Sequence, residues 1–309
     1  MGARAVGRLM PSPNLEIPPE LKEVLMRGIG ALNDLPTSVG VLMDRYAREP
    51  QSVSKAYSER EEFPGIEAVQ TAHLQGTRLV SHTGSHMWLL HRGLTEPALP
   101  IGCWTAARGV LESGAWAAWL LDPSLDALGR IERSMNVRLR DIWDEGTWIR
   151  AATTSGVPEE EAALKGAEEH RAGRESMMLK RAESLGIQVK RSRKGNLVGF
   201  GEAGIPSTTS VVKESFDETH LYQLLSAMVH GRSWAAHAMS FSPLPEKNTM
   251  TESLDPQRIL FLIVHCMEWF ARPAWHLATL NGWNMDEFTT ILEEAYSAAG
   301  MADHTRFWR

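Results

Sequence analysis

Apolar side chains recur at every third or fourth position along most of the 309 residues, which is the spacing of one face of an α-helix. Two long stripes, over residues 64–93 and 125–153, show this period most clearly. Alternating patterns typical of strands are rare, so we predict an all-α, multi-helix bundle. The predicted helices cover residues 20–33, 36–48, 64–93, 104–121, 125–153, 158–185, 222–234, 256–280 and 284–299.

Two polar stretches interrupt this helical pattern. Residues 51–62 lack an apolar stripe, so we predict a loop there. Residues 186–212 contain a basic run and several glycines, which predict a short irregular or hairpin insertion, the only extended structure we expect. The helices before the first long stripe are short. We therefore divide the chain into an N-terminal helical extension, residues 1–60, and a main helical bundle, residues 61–309.

The overall composition is mildly acidic, with a formal net charge of −6 and a pI near 6.0. This balance argues against a general electrostatic attraction to nucleic acid, which needs a basic surface. The two cysteines are too few for a disulfide framework or a four-thiolate zinc site. No secretory signal pattern begins the sequence, and the longest apolar run, residues 259–270, is too short to span a bilayer. We therefore expect a cytoplasmic protein without membrane contact.

Three short motifs bear on cofactor, metal or phosphate binding. Residues 199–204 match the G-x-G-x-x-G dinucleotide fingerprint, but no βαβ unit surrounds them and Pro206 blocks the helix that should follow. His82 and His86 are one helical turn apart and could reach one metal ion, although histidines packed near a core are the commoner explanation of this spacing. The basic run of residues 190–194 either contacts phosphate or forms a solvated loop. We expect neither a cofactor nor a metal.

Two of the predicted helices carry polar residues four positions apart among apolar ones. Arg108 and Glu112 share a face of one helix, and Tyr222, Ser226 and His230 share a face of the other. Buried polar groups are costly unless they are paired, so we expect the two helices to meet and to bring these groups together. The shared surface is then either a functional site or an internal hydrogen-bonded network in which His230 is buried.

The second of these helices resembles a motif of bacterial helical proteins related to the HEPN superfamily. That motif reads roughly Tyr-Arg-x-Leu-Ser-x-x-x-His-Gly, and its helix packs against an earlier helix with an Arg and a Glu. The resemblance covers roughly residues 64–280, and its specific motifs comprise about ten positions. The matching residues include Arg108, Glu112, Tyr222, Leu225, Ser226, His230 and Gly231.

Membership of this superfamily implies a specific activity. Many HEPN proteins are metal-independent ribonucleases of toxin or antiviral systems, in which a histidine serves acid–base chemistry and an arginine holds phosphate. This chain has Gln223 at the position of that arginine. We therefore assign His230 as the acid–base residue and Arg232 as the phosphate contact, provided that Gly231 bends the helix.

Two classes of function follow from these observations. The first is an RNA-cleaving or RNA-binding component of a bacterial toxin or defence system, with RNA as its partner. The second is a non-catalytic scaffold or regulatory module that acts through a homo-oligomer, such as a dimer, or through a protein partner. In both, Arg108, Glu112, Tyr222 and Ser226 form the binding or supporting surface.

Overall fold

The computed structural model describes residues 18–46, 51–63, 67–95, 99–153, 157–201, 204–244, 249–252 and 255–301. Within these residues helices predominate, and the predicted all-α multi-helix fold is confirmed. The helices are α1 (Pro19–Tyr46), α2 (Lys55–Glu62), α3 (Glu67–Leu94), α4 (Pro100–Leu121), α5 (Ala127–Ala152), α6 (Pro158–Ser184), α7 (Thr208–Phe216), α8 (Thr219–Val229), α9 (Ser233–Ser240), α10 (Pro256–Asn281) and α11 (Met285–Ala298). The strands are β1 (Val189–Arg191), β2 (Leu197–Phe200), β3 (Phe241–Leu244) and β4 (Thr249–Glu252).

The first two predicted helices form a single helix in the structure. The sequence predicted a break between residues 33 and 36, but α1 continues through Pro36. A proline inside a helix removes one backbone hydrogen bond, which at Pro36 is the bond to the carbonyl of Leu32. Burial of seven α1 residues, among them Leu32 and Leu35, outweighs that local loss.

The loop predicted over residues 51–62 is wrong for its last eight residues, which form α2. The backbone N–H of Tyr57 donates to the Ser54 hydroxyl at 3.1 Å, which is the hydrogen bond that a serine cap supplies at a helix start. The sequence lacks an apolar stripe here because α2 buries a charged residue, Glu59, on its inner face.

Extended structure occurs in two places rather than one. The predicted hairpin within residues 186–212 is confirmed as the antiparallel pair β1 and β2. A second antiparallel pair, β3 and β4, lies outside the predicted region, so the expectation of a single extended region is wrong. Pro243 lies within β3, and a two-stranded ladder has outer edges on which a proline can sit without losing a hydrogen bond.

The chain folds into two compact units. Unit 1 comprises residues 1–58, 76–122 and 208–309. Helix α10 packs along α4 and α1, and α1 also contacts α11. At the α4–α10 crossing Gly114 lies against the backbone carbonyl oxygen of Trp269, so close that a Cβ atom would overlap that oxygen. Because α1 shares a core with the C-terminal helices, the units do not coincide with the sequence-based division at residue 60.

Unit 2 comprises residues 59–75 and 123–207. Its core lies between α5, α6 and β2 and contains Ile131, Met135 and Phe200. The side-chain amide of Asn136 donates to the carbonyl of Phe200 and accepts from its N–H, both at 2.8 Å, and thereby fixes β2 on α5. No helix within the described residues is both long and apolar enough to cross a membrane.

Candidate functional site

The predicted contact between the two polar helices is confirmed at Tyr222. Arg108 and Glu112 lie one turn apart on α4, and the guanidinium donates to the carboxylate at 3.2 Å from Nε and 2.9 Å from Nη2. The guanidinium carbon also lies 5.7 Å from the centre of the Tyr222 ring on α8. An ion pair on α4 is thus covered by an aromatic ring from α8, an arrangement that combines charge pairing with a cation–π contact.

The charges of this network shift the pKa values of its members. Burial lowers the pKa of Arg108, but the charge and hydrogen bonding of Glu112 outweigh burial, and the net pKa lies above its ordinary value. Burial raises the pKa of the Tyr222 phenol, and the negative charge of Glu112 raises it further. Arg108 is therefore charged and paired with the Glu112 carboxylate in the folded protein.

His86 extends the same surface from α3. Gly109 on α4 makes room for it, since a Cβ atom at that position would lie 2.5 Å from the imidazole Nδ1. Burial lowers the pKa of His86, and the neighbouring His82 lowers it further. His82 itself is exposed. Within the part of the chain that the structure describes, no group of three or more His, Cys, Asp or Glu residues could hold a metal ion.

The end of α8 forms a rigid corner with α9. His230 is the last residue of the turn, Gly231 adopts a left-handed φ of +62°, and two backbone hydrogen bonds close the motif. These bonds run from Gly231 to the carbonyl of Met228 at 3.0 Å and from Arg232 to that of Ala227 at 2.9 Å. This is the Schellman pattern, in which a glycine ends a helix at low conformational cost. The helix predicted over residues 222–234 is therefore wrong beyond Val229, and the bend at Gly231, which was the condition for a phosphate contact by Arg232, is present.

The corner exposes the two residues that the sequence assigned to catalysis. His230, Arg232 and Trp234 are all exposed, with Trp234 60% accessible. The alternative in which His230 is buried within the polar network is therefore wrong. Ser226 is half-buried, and its carbonyl accepts the backbone N–H of His230 at 3.1 Å. Gln223 is exposed.

The structure separates the predicted site residues into two groups. Arg108, Glu112 and Tyr222 form one network, and His230 and Arg232 form another surface. Along α8, Tyr222 and His230 are eight residues apart, about 12 Å at the rise of an α-helix. The network and the corner are therefore neighbouring surfaces of unit 1 rather than one catalytic cleft.

A buried charged triad in unit 2 has no counterpart in the sequence analysis. Arg130 on α5 donates to the Glu59 carboxylate on α2 from Nε at 3.0 Å and from Nη2 at 3.1 Å. His73 on α3 lies 2.8 Å from the same carboxylate through Nε2. The Arg130 side chain is 0% exposed and those of Glu59 and His73 are each 4% exposed. A triad closed to solvent cannot receive a substrate, so its role is to hold three helices together.

Burial and pairing with neighbouring charges shift the pKa values of Glu59 and His73 in opposite directions. Burial raises the pKa of Glu59, but hydrogen bonds from His73 and Arg130 bring the net pKa below its ordinary value. Burial lowers the pKa of His73, and the positive charges of Arg130 and Arg60 add to that effect while Glu59 opposes it. The folded unit thus favours an ionised Glu59 beside a neutral His73.

No protein-family model, curated protein sequence or solved structure matches the chain. The HEPN resemblance therefore rests on the two helical motifs alone and stays a prediction.

Proposed function

We propose that the chain is a HEPN-like helical protein that binds RNA through the corner between α8 and α9. The supporting observation is that His230, Arg232 and Trp234 are exposed together on a backbone held by a Schellman motif. Proteins bind single-stranded RNA with basic groups that contact phosphate and with aromatic rings on which unpaired bases stack. The corner offers an imidazole, a guanidinium and an indole within five residues.

Binding has more support than cleavage. Cleavage through the 2′-hydroxyl needs a general base, a general acid and stabilisation of charge on the phosphate. Arg108 is already paired with Glu112, and Gln223 stands where the HEPN motif has its arginine. A ribonuclease would therefore depend on His230 for proton transfer and on Arg232 for the phosphate, without further help from α4.

Fluorescence anisotropy with a labelled single-stranded RNA tests the binding surface. Loss of a stacking ring costs about 1–3 kcal/mol per base, so Trp234→Ala should weaken binding by about 5- to 150-fold. Trp148→Ala in unit 2 is the matched control, because Trp148 is also an exposed indole, at 70%. The proposal fails if wild-type protein does not bind RNA or if both variants lose affinity equally.

A cleavage assay on a mixed RNA pool tests the narrower enzymatic form of the proposal. A ribonuclease should lose activity with His230→Ala while circular dichroism stays unchanged, and Arg232→Ala should reduce it less. If wild-type protein leaves RNA intact, Gln223→Arg restores the motif arginine. Continued inactivity of that variant would leave RNA binding without catalysis.

The second candidate function is a non-catalytic scaffold, which the paired Arg108 network favours. Its three groups satisfy one another, as expected of a structural feature. In that case wild-type protein should not bind RNA, Arg108→Ala should lower the melting temperature, and sedimentation should reveal a homo-oligomer or a complex. Absence of both RNA binding and self-association would count against the two candidates together.

A further inference from the structure

A cleft in unit 2 gathers three arginines from three elements. Arg150 lies on α5, Arg171 on α6 and Arg191 at the end of β1, and all three line a space of about 670 Å³. We propose that this cleft binds the phosphate group of a nucleotide. The proposal is independent of the α8–α9 corner, since none of its residues belongs to unit 1.

The charge of these arginines is not neutralised within the described residues. No ion pair there involves Arg150, Arg171 or Arg191, whereas the neighbouring Arg174 is paired with Glu145. Within the described residues, the groups that accept hydrogen bonds from these arginines are neutral. Arg191 donates to a backbone carbonyl at 2.9 Å, and Arg150 lies 3.4 Å from a threonine hydroxyl. The Nε of Arg171 is buried and has no hydrogen-bond partner in the described part of the chain.

Two of the guanidinium groups lie near the same residue of α5, Gly146. A Cβ atom built on Gly146 would lie 3.6 Å from Nη1 of Arg150 and 3.7 Å from Nη1 of Arg171. The absence of a side chain at Gly146 therefore leaves both groups close to the same surface of α5. Like charges this close repel, and an anion that accepts hydrogen bonds from both would turn the repulsion into attraction.

The other residues of the cleft suit a nucleotide better than a simple anion. Arginine forks match the geometry of phosphate oxygens, and Ser192 and Asn196 at the hairpin turn add neutral polar groups. Trp143 lines the cleft while also packing against the core of unit 2, so its ring is fixed in position. A base attached to the bound phosphate could stack on this indole. One carboxylate, Glu175, also lines the cleft and selects against a more highly charged ligand.

Isothermal titration of the full chain identifies the ligand chemistry. We expect uridine 5′-monophosphate to bind, inorganic phosphate to bind more weakly, and uridine not to bind. A short 5′-phosphorylated oligouridylate separates the two possible sources of the phosphate. If it binds as well as the mononucleotide, the site takes the end of an RNA strand; if it does not, the site takes free nucleotides. Equal binding of uridine and its monophosphate, or no binding of any phosphate compound, overturns the proposal.

Arginine variants test the location. Hydrogen bonds to charged groups contribute about 1.5–3 kcal/mol, so Arg171→Gln and Arg191→Gln should each weaken binding by about 10- to 150-fold. Arg193→Gln, two residues along the hairpin and outside the cleft lining, removes the same charge and should leave the affinity nearly unchanged. Equal loss in Arg193→Gln and Arg191→Gln would show nonspecific attraction and would refute the site. Trp234→Ala should not change nucleotide binding, which separates this test from that of the α8–α9 corner.

Discussion

The buried triad allows a quantitative test of what holds unit 2 together. Replacing Arg130 by Met keeps an unbranched, apolar chain in place of the aliphatic part of the arginine but removes both hydrogen bonds to Glu59. The Glu59 side chain is only 4% exposed, so its charge would remain in the interior without its main partner. Breaking a buried pair in this way costs about 3–5 kcal/mol, a change of about 150- to 5000-fold in the unfolding equilibrium.

Urea denaturation followed by circular dichroism measures this loss, and hydrogen exchange of α2 and α5 assigns it to unit 2. Arg174→Ala is the matched control in the same unit, because its partner Glu145 is 48% exposed and such surface pairs contribute about 0–1 kcal/mol. Combining Arg130→Met with Glu59→Leu removes both charges and should recover much of the loss. A loss below about 1 kcal/mol for Arg130→Met, within the range of a surface pair, would refute the argument.

Three further changes test other contacts. The pKa of His73 in the folded state lies below its unfolded value of about 6.5, so the unfolded state binds more protons as the pH falls. The denaturation midpoint of unit 2 should therefore fall as the pH drops below about 6.5. His73→Gln should flatten this dependence. Gly114→Ala should destabilise the folded protein by about 1–3 kcal/mol, because the added Cβ atom overlaps the Trp269 carbonyl. Gly40 has open space around it, so Gly40→Ala should be neutral or should stabilise the protein by up to about 1 kcal/mol. Thermal melts measure both effects. Glu112→Ala should cost about 1 kcal/mol, since its carboxylate is one-third exposed.

Two results would contradict these expectations. A midpoint that is constant from pH 7.5 to about pH 5 would show that the histidine titrates equally in both states. Destabilisation by Gly40→Ala as large as that by Gly114→Ala would show that loss of glycine, and not the close approach to α10, is responsible.

The features predicted from the sequence were those that depend on spacing within one helix. Arg108 and Glu112 are four residues apart, so their ion pair follows from helical geometry, and the costs of burial then predicted a partner on another helix, which is Tyr222. The bend at Gly231 was not predicted, because the spacing of apolar residues continues across it and predicted one helix over residues 222–234.

The features that were missed depend on distance along the chain. Glu59 lies 14 residues from His73 and 71 from Arg130, and no local pattern connects them. Helix α2 was mistaken for a loop because its sequence is polar. It buries the carboxylate of Glu59 at a position where most helices bury an apolar side chain such as leucine. The cleft arginines are likewise brought together by the packing of α5, α6 and the first hairpin, which a single sequence does not specify.

RNA binding at the α8–α9 corner would involve few phosphate contacts, and this has a measurable consequence. The net charge is −6, and the α8–α9 corner offers Arg232 and, when protonated, His230. For single strands the logarithm of the affinity falls with the logarithm of the salt concentration with a slope of about −0.7 per neutralised phosphate. One or two contacts therefore predict a slope between about −0.7 and −1.4, with stacking on Trp234 supplying a part that salt does not screen. Anisotropy titrations between about 50 and 300 mM salt measure the slope. A value of about −4 or steeper would require an extended basic surface, which the corner does not supply, and would locate RNA binding elsewhere on the chain.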